Sequence, residues 1–94
     1  MVTDNQIKAA ILLKLYKRGN WGGSHTAFDN LKKGFKAKEL GKGGLKRIDD
    51  AGRALIREGL LLAKPTSYGL QVSLNPKQTK AIKAIITSAF PEFQ

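Results

Sequence analysis

The sequence predicts a mainly α-helical domain that carries one β-hairpin. Apolar residues recur at helical spacing in several segments, and an alternating apolar segment follows a cluster of turn residues near position 70. Aromatic residues make up only 7% of the chain, so leucine, isoleucine and alanine must form the core. Ninety-four residues suffice for one hydrophobic core but not for two, and we therefore expect a single domain over residues 1–94.

The first helix is expected at residues 3–18. Thr3 and Gln6 have the spacing of a capping box, in which each side chain bonds a backbone N–H at the helix start. Basic residues occupy the last turn, and Gly19 can end the helix in a left-handed conformation. Apolar residues cover more than half of the circumference, which indicates a helix that is buried on several sides.

A shorter second helix is expected at residues 24–33, with Ser24 as its N-cap. The following loop, residues 34–44, contains two large apolar residues and should therefore pack against the domain. The inner side of the second helix should carry Phe28 and Leu31, and the apolar pair of the loop is Phe35 and Leu40.

The third helix is expected at residues 44–58, with Gly59 ending it. Its apolar and charged residues fall on opposite sides at 100° per residue. The apolar stripe consists of Leu45, Ile48, Gly52, Leu55 and Ile56. The charged stripe consists of Lys46, Arg47, Asp50, Arg53 and Arg57.

A β-hairpin is expected at residues 60–74, with its turn at residues 65–69. Two strands alone are marginally stable, so the hairpin must pack on the helices. Asn75 and Pro76 are a cap and a first helical residue, and they predict a last helix at residues 76–89. Its apolar stripe is Ala81, Ile82, Ile85, Ile86 and Ala89, and the opposite row is Lys77, Lys80 and Lys83.

Three helices, a hairpin without a spacer and a closing helix form a known order of elements. The most informative segment is residues 54–76. There a helix ends at Gly59 and a strand follows directly; after a turn that contains Pro65, Tyr68 and Gly69, a second strand runs back beside the first. This resembles the winged helix-turn-helix DNA-binding proteins, and most of all the small basic ones common in archaea. The resemblance implies that the third helix enters the major groove and that the hairpin tip touches the adjacent backbone or minor groove.

Strong positive charge points to an anionic partner. Seventeen lysines and arginines oppose seven acidic residues, for a net charge of +10 and a pI near 10.2. No apolar run is long enough to span a bilayer and no signal peptide opens the chain, so we expect a cytoplasmic protein with no membrane partner. Neither a metal nor a cofactor is expected, since cysteine is absent and the single histidine, His25, lacks partners at ligand spacing.

The candidate nucleic-acid contacts lie in the basic loop, on the third helix and at the hairpin tip. Seven basic residues fall within sixteen positions from Lys32 to Arg47, and the glycines at residues 41–44 could admit a phosphate to the helix N-terminus. The full set is Lys32, Lys33, Lys36, Lys38, Lys42, Lys46, Arg47, Arg53, Arg57, Lys64 and Tyr68.

Several candidate residues allow two interpretations. Asp49 and Asp50 each lie four residues from a basic residue, which favours ion pairs along the helix. Alternatively, Asp50 accepts a hydrogen bond from a cytosine base or orients Arg53 toward a guanine. Tyr68 could stack on a sugar or base, or anchor the turn. His25 should serve in capping or packing, and Trp21 in the core.

The predicted function is binding of duplex DNA in transcription regulation. Two alternatives stay open: an RNA- or ribosome-binding protein, and a protein-interaction module that uses the closing helix. An enzyme is not expected, because the chain offers no paired carboxylates beside a base and no nucleophile motif. A homodimer through the first and last helices is expected from their surplus of apolar residues.

Overall fold

A computed structural model describes residues 3–33, 35, 40–41 and 43–93. Within these residues it contains three α-helices and one three-stranded antiparallel sheet. The helices are α1 (Asp4–Arg18), α2 (Gly44–Arg57) and α3 (Thr79–Ala89), and the strands are β1 (Thr26–Ala27), β2 (Leu61–Thr66) and β3 (Gly69–Leu74). Short 3-10 helices span Phe28–Lys32 and Pro76–Gln78. The strand order is β1-β3-β2, so β3 is central.

The ends of α1 follow the sequence signals. The Thr3 side chain accepts from the backbone N–H of Gln6 at 3.1 Å, and the Gln6 side chain accepts from the backbone N–H of Thr3 at 2.8 Å. Gly19 ends the helix with φ of 70°, a conformation that glycine adopts without steric cost. Both ends of the predicted first helix are thereby confirmed.

The predicted α-helix at residues 24–33 is wrong. Thr26 pairs with Val72 of β3, so the chain is extended where the helix was expected to begin. A single 3-10 helix follows, and Ala27, not Ser24, precedes it. Pairing with a strand more than 40 residues away overrides the local helical pattern. Phe28 and Leu31 are nevertheless buried, as their spacing predicted.

The inner side of α2 packs into the core with one exception. Ile48 and Leu55 are buried, but Leu45 is 63% exposed and does not belong to the apolar stripe. Leu40 takes the inner position at the first turn of α2, since a Cβ atom on Gly44 would lie 2.6 Å from the Leu40 Cβ. Leu40 and the partly buried Phe35 confirm that the apolar pair of the loop packs down.

The hairpin turns more tightly than predicted. Thr66 pairs with Gly69, which leaves Ser67 and Tyr68 as the two turn residues and places Pro65 inside β2. Proline is tolerated there because β2 is an edge strand. On β3 the alternating pattern breaks at Ser73, which is buried and donates from its hydroxyl to the carbonyl of Gly22 at 2.7 Å.

The closing helix starts later than predicted. Asn75 caps the 3-10 helix by accepting from the Lys77 backbone N–H at 3.0 Å, and α3 proper begins at Thr79. Ile82 and Ile86 are fully buried. The α-helix ends at Ala89, just before the proline at position 91 that was expected to stop it.

Helix α1 lies at the centre of the domain, packed against α2, α3 and β3. Its buried residues are Ile7, Ala9, Ile11, Leu12 and Leu15. Trp21 packs against the same core, with its ring 5.7 Å from that of Tyr16. Many of the apolar residues that suggested a dimer are buried within the chain, while Leu13, Ala81 and Ile85 are only partly buried; the homodimer stays a prediction. In the described part of the chain, no helix combines the length and apolar character that crossing a bilayer requires.

Candidate nucleic-acid interface

The outer side of α2 and the hairpin beside it form one continuous surface. A shallow cleft runs between them. It is lined by Arg53, Ile56, Arg57, Ala63 and Leu70. Since the opposite side of α2 is buried in the core, the side chains on this surface are positioned by a fixed helix rather than by a loop.

Two acid–base pairs run along the outer side of α2. The Lys46 ammonium lies 2.8 Å from Asp50 Oδ2, and Arg53 Nε donates to Asp49 Oδ2 at 2.9 Å. Both pairs join residues four apart, so the predicted helical ion pairs are confirmed. The hydrogen bond to Asp50 and its negative charge raise the pKa of Lys46. Asp50 therefore does not orient Arg53; that contact belongs to Asp49.

Arg53 makes a second contact, with an aromatic ring. Its Cζ atom lies 5.1 Å from the centre of the Phe28 ring, which is buried at the start of the first 3-10 helix. Guanidinium groups are attracted to the faces of aromatic rings. The Phe28 ring and the Asp49 carboxylate thus fix the guanidinium from two directions.

Arg47 does not belong to the free outer side, contrary to the predicted charged stripe. Its Nη1 atom donates to the carbonyl of Leu40 at 2.7 Å, and its Nη2 atom lies 3.0 Å from Asp4 Oδ1. These contacts join the start of α2 to the preceding loop and to the start of α1. Arg47 is consequently a structural residue, and its partners could not be identified from helical spacing.

The remaining candidates of α2 and the hairpin are free of partners in the described part of the chain. Arg57 and Lys64 are exposed and form no ion pair there. The Tyr68 side chain is 94% exposed at the hairpin turn. The turn is secured by Thr66 instead, whose hydroxyl donates to the carbonyl of Gly69 at 2.7 Å. The idea that the Tyr68 ring anchors the turn is therefore wrong.

The basic loop is only partly described. Lys36, Lys38 and Lys42 lie outside the described residues, so their predicted role is unchanged. Lys32 lies 3.6 Å from Asp29 Oδ1 and 4.0 Å from Asp49 Oδ1, whereas Lys33 is exposed. Gly41 and Gly43 have φ of 75° and 73°, which explains the need for glycine before α2. Gly43 precedes the helix without a side-chain cap.

Other cations lie away from α2. Lys14 donates to the backbone carbonyls of Asn30 and Lys33, and burial together with the charges of Arg18 and Lys33 lowers its pKa. Among the described residues, several more cations lack an acidic partner; they lie at the end of α1, in the second 3-10 helix and in α3. They are Lys17, Arg18, Lys77, Lys80 and Lys83. The sequence had suggested only the last three as a possible extension of the basic surface.

Two other predictions concern the turn region and metal binding. His25 directly precedes β1 and is half-buried; no helix begins beside it, so of its two predicted roles capping is wrong, whereas packing is compatible with its burial. Across the described residues, no three His, Asp or Glu side chains are placed to hold a metal ion.

Sequence reasoning did not identify the support beneath Arg53. The four-residue spacing predicted the contact between Asp49 and Arg53, but nothing in the sequence indicated that Phe28 would lie under the guanidinium. Comparisons of the chain with protein-family models, curated proteins and solved structures return no match.

Proposed function

We propose that this chain is a winged-helix protein that binds duplex DNA through the outer side of α2 and the tip of the β2–β3 hairpin, and that it regulates transcription. The observation that carries the proposal is the joint surface of α2 and the hairpin. Arg53 and Arg57 of α2 line it together with Ala63 and Leu70 of the hairpin, and Lys64 and Tyr68 are exposed on the same hairpin. A major groove admits one α-helix, and its phosphate rims attract the flanking cations.

The order of elements supports the same proposal. A short strand follows α1, a helix with a charged outer side precedes the hairpin, and β3 lies between β1 and β2. In winged-helix proteins the helix before the hairpin enters the groove, and the hairpin reaches the adjacent backbone. Here the hairpin turn exposes an aromatic ring, which can stack on a sugar or a base.

The acidic residues on α2 are compatible with this role. Asp49 and Asp50 each face a cation, so their charges are compensated before any phosphate approaches. Net attraction then comes from Arg57 and Lys64, which have no acidic partner among the described residues, and from the charge of the whole chain, +10.

Titration of the protein against a fluorescent duplex DNA of random sequence, at several salt concentrations, tests the proposal. We expect log affinity to fall with log salt at a slope of about −0.9 per phosphate contacted, hence about −1.8 or steeper if Arg57 and Lys64 each contact one phosphate. A double-stranded RNA of the same length is the competitor. Preferential binding of the RNA would favour the ribosomal alternative, and salt-independent binding would contradict both.

A further inference from the structure

We propose that Arg53 reads a guanine base in the major groove of duplex DNA, through O6 and N7, and that Asp49 and Phe28 are its positioning residues. This inference rests on the proposed function and adds the identity of one base in the target site.

Two fixed groups hold the guanidinium. Its Nε atom donates to Asp49 Oδ2 at 2.9 Å, and its Cζ atom lies 5.1 Å from the centre of the Phe28 ring. That ring is pressed against α2, since a Cβ atom on Gly52 would approach Phe28 Cε1 to 2.8 Å. Asp49 is itself within 4.0 Å of Lys32 through its other oxygen. The support therefore extends from α2 into the 3-10 helix below it.

The other donors of the guanidinium are not used within the described part of the chain. A guanidinium carries five N–H groups, and the contact with Asp49 uses the one on Nε. The four on Nη1 and Nη2 have no acceptor in the described part of the chain, and the side chain is 54% exposed. A planar fork with two free donor atoms is thus presented from the middle of the outer side of α2.

Such a fork matches one base better than the others. In the major groove only guanine offers two acceptors, O6 and N7, on a single base edge, and bidentate arginine contacts to it are the commonest specific contact. The deep, narrow major groove of an RNA duplex cannot be read in this way. Because the fork is already held in place, binding costs less side-chain entropy than it would for a free arginine.

Arg57 supplies the contrast on the same helix. It is one turn further along and exposed, but it has no acidic or aromatic partner among the described residues. An unsupported arginine is suited to a phosphate, which can be approached from many directions. Arg57 should therefore add affinity for any sequence, whereas Arg53 should add preference for one.

The test is selection from a randomised duplex library with the wild type and with R53A, R53K and R57A. The wild type should enrich guanine at one or more positions, by about 5- to 150-fold over other bases. R53A should lose that enrichment and R53K should reduce it, because an ammonium lacks the planar fork; R53K should keep the salt dependence because it keeps the charge. R57A should weaken binding to all sequences equally and leave the enriched guanine unchanged.

A second measurement checks the contacted atom and the support. Replacing the enriched guanine by 7-deazaguanine removes the N7 acceptor and should weaken the wild type but not R53A. D49A should reduce the preference for guanine several-fold while the slope of affinity against salt, which reports phosphate contacts, stays the same or steepens. If D49A lost both the preference for guanine and the salt-dependent binding, Asp49 would have a merely structural role. Thermal unfolding of each variant checks that it folds.

The outcomes separate this inference from the proposed function. Salt-dependent duplex binding without a guanine preference, or with one that survives in R53A, overturns the reading of guanine and leaves DNA binding intact. Absence of duplex binding by the wild type overturns both.

Discussion

Helices α2 and α3 both carry basic residues on their outer sides, but only on α2 are two of these residues held in place by neighbouring groups. Lys46 and Arg53 each contact an acid one turn away, at 2.8 and 2.9 Å. Lys80 and Lys83 on α3 have no acidic partner in the described part of the chain. Residues 59–91 contain no acidic residue, so the sequence alone shows that the lysines of α3 have no acidic residue near them along the chain.

This contrast shows that the position of a cation matters more than the number of cations nearby. Unsupported lysines attract a polyanion from a distance and can contact it in many orientations. Supported side chains lose that freedom but gain a defined direction, which is what recognition of a base requires. The α2 surface is therefore the candidate for reading sequence, and α3 is a candidate for general attraction alone.

The largest expected effect is on the stability of the protein, through the packing of α2 against the core. L55A removes a fully buried side chain from the inner side of α2 and should cost about 2–5 kcal/mol of unfolding free energy. L45A removes a leucine from the same helix that is 63% exposed, and it should change stability by no more than about 0.5 kcal/mol. Denaturant unfolding of both variants provides the measurement. Equal costs would mean that Leu45 is buried after all.

A smaller effect separates two lysines of α1. Lys14 donates to the carbonyls of Asn30 and Lys33, so K14A should cost about 1.5 kcal/mol by leaving these acceptors without the ammonium. Lys17 is exposed and makes no side-chain contact of this kind with any described residue, so K17A should be close to neutral. Thermal unfolding compares the two at the same pH. A neutral K14A would show that water replaces the ammonium without loss.

The comparison of α2 with α3 is tested most directly through salt dependence. R57A and K64A should each make the slope of log affinity against log salt shallower by about 0.9, since each removes one phosphate contact. K80A and K83A should leave the slope unchanged, because they lie on a different helix from the proposed interface. A slope that responds to the α3 variants instead would move the interface to α3.

The smallest expected effect comes from releasing Lys46. In the wild type the Asp50 carboxylate raises the pKa of Lys46 and compensates the charge of its ammonium, and D50N removes that carboxylate. Lys46 then becomes available to a phosphate, and duplex affinity at low salt should rise while the salt slope steepens by at most about 0.9. If affinity falls instead, Asp50 contacts the DNA itself, as a cytosine acceptor would.

Local signals in the sequence predicted local structure well. The capping box at Thr3 and the glycine at position 19 located α1, and residues four apart on α2 predicted both ion pairs. The errors arise from contacts between distant residues. Pairing of Thr26 with Val72 replaces a helix by a strand, and Arg47 reaches Asp4 across 43 positions. Such partners are chosen by the folded arrangement, which helical periodicity does not encode.

The candidate site divides in the same way. Composition and spacing were sufficient to place cations on the outer side of the helix before the hairpin, and Arg53 was among them. Arg53 differs from the other cations because its guanidinium lies over the Phe28 ring. Phe28 belongs to the first 3-10 helix and packs closely against α2 because Gly52 has no side chain there. The sequence contains both residues but gives no sign that they touch.

The most direct test of the central claim is a map of backbone amide shifts in the ¹⁵N-labelled protein as a short duplex DNA is added. The account predicts that the largest shifts fall on α2 and on the hairpin turn, around Arg53, Arg57 and Tyr68, while residues of α3 change little. Shifts confined to α3 and the end of α1, or no shifts at any stoichiometry, would contradict it.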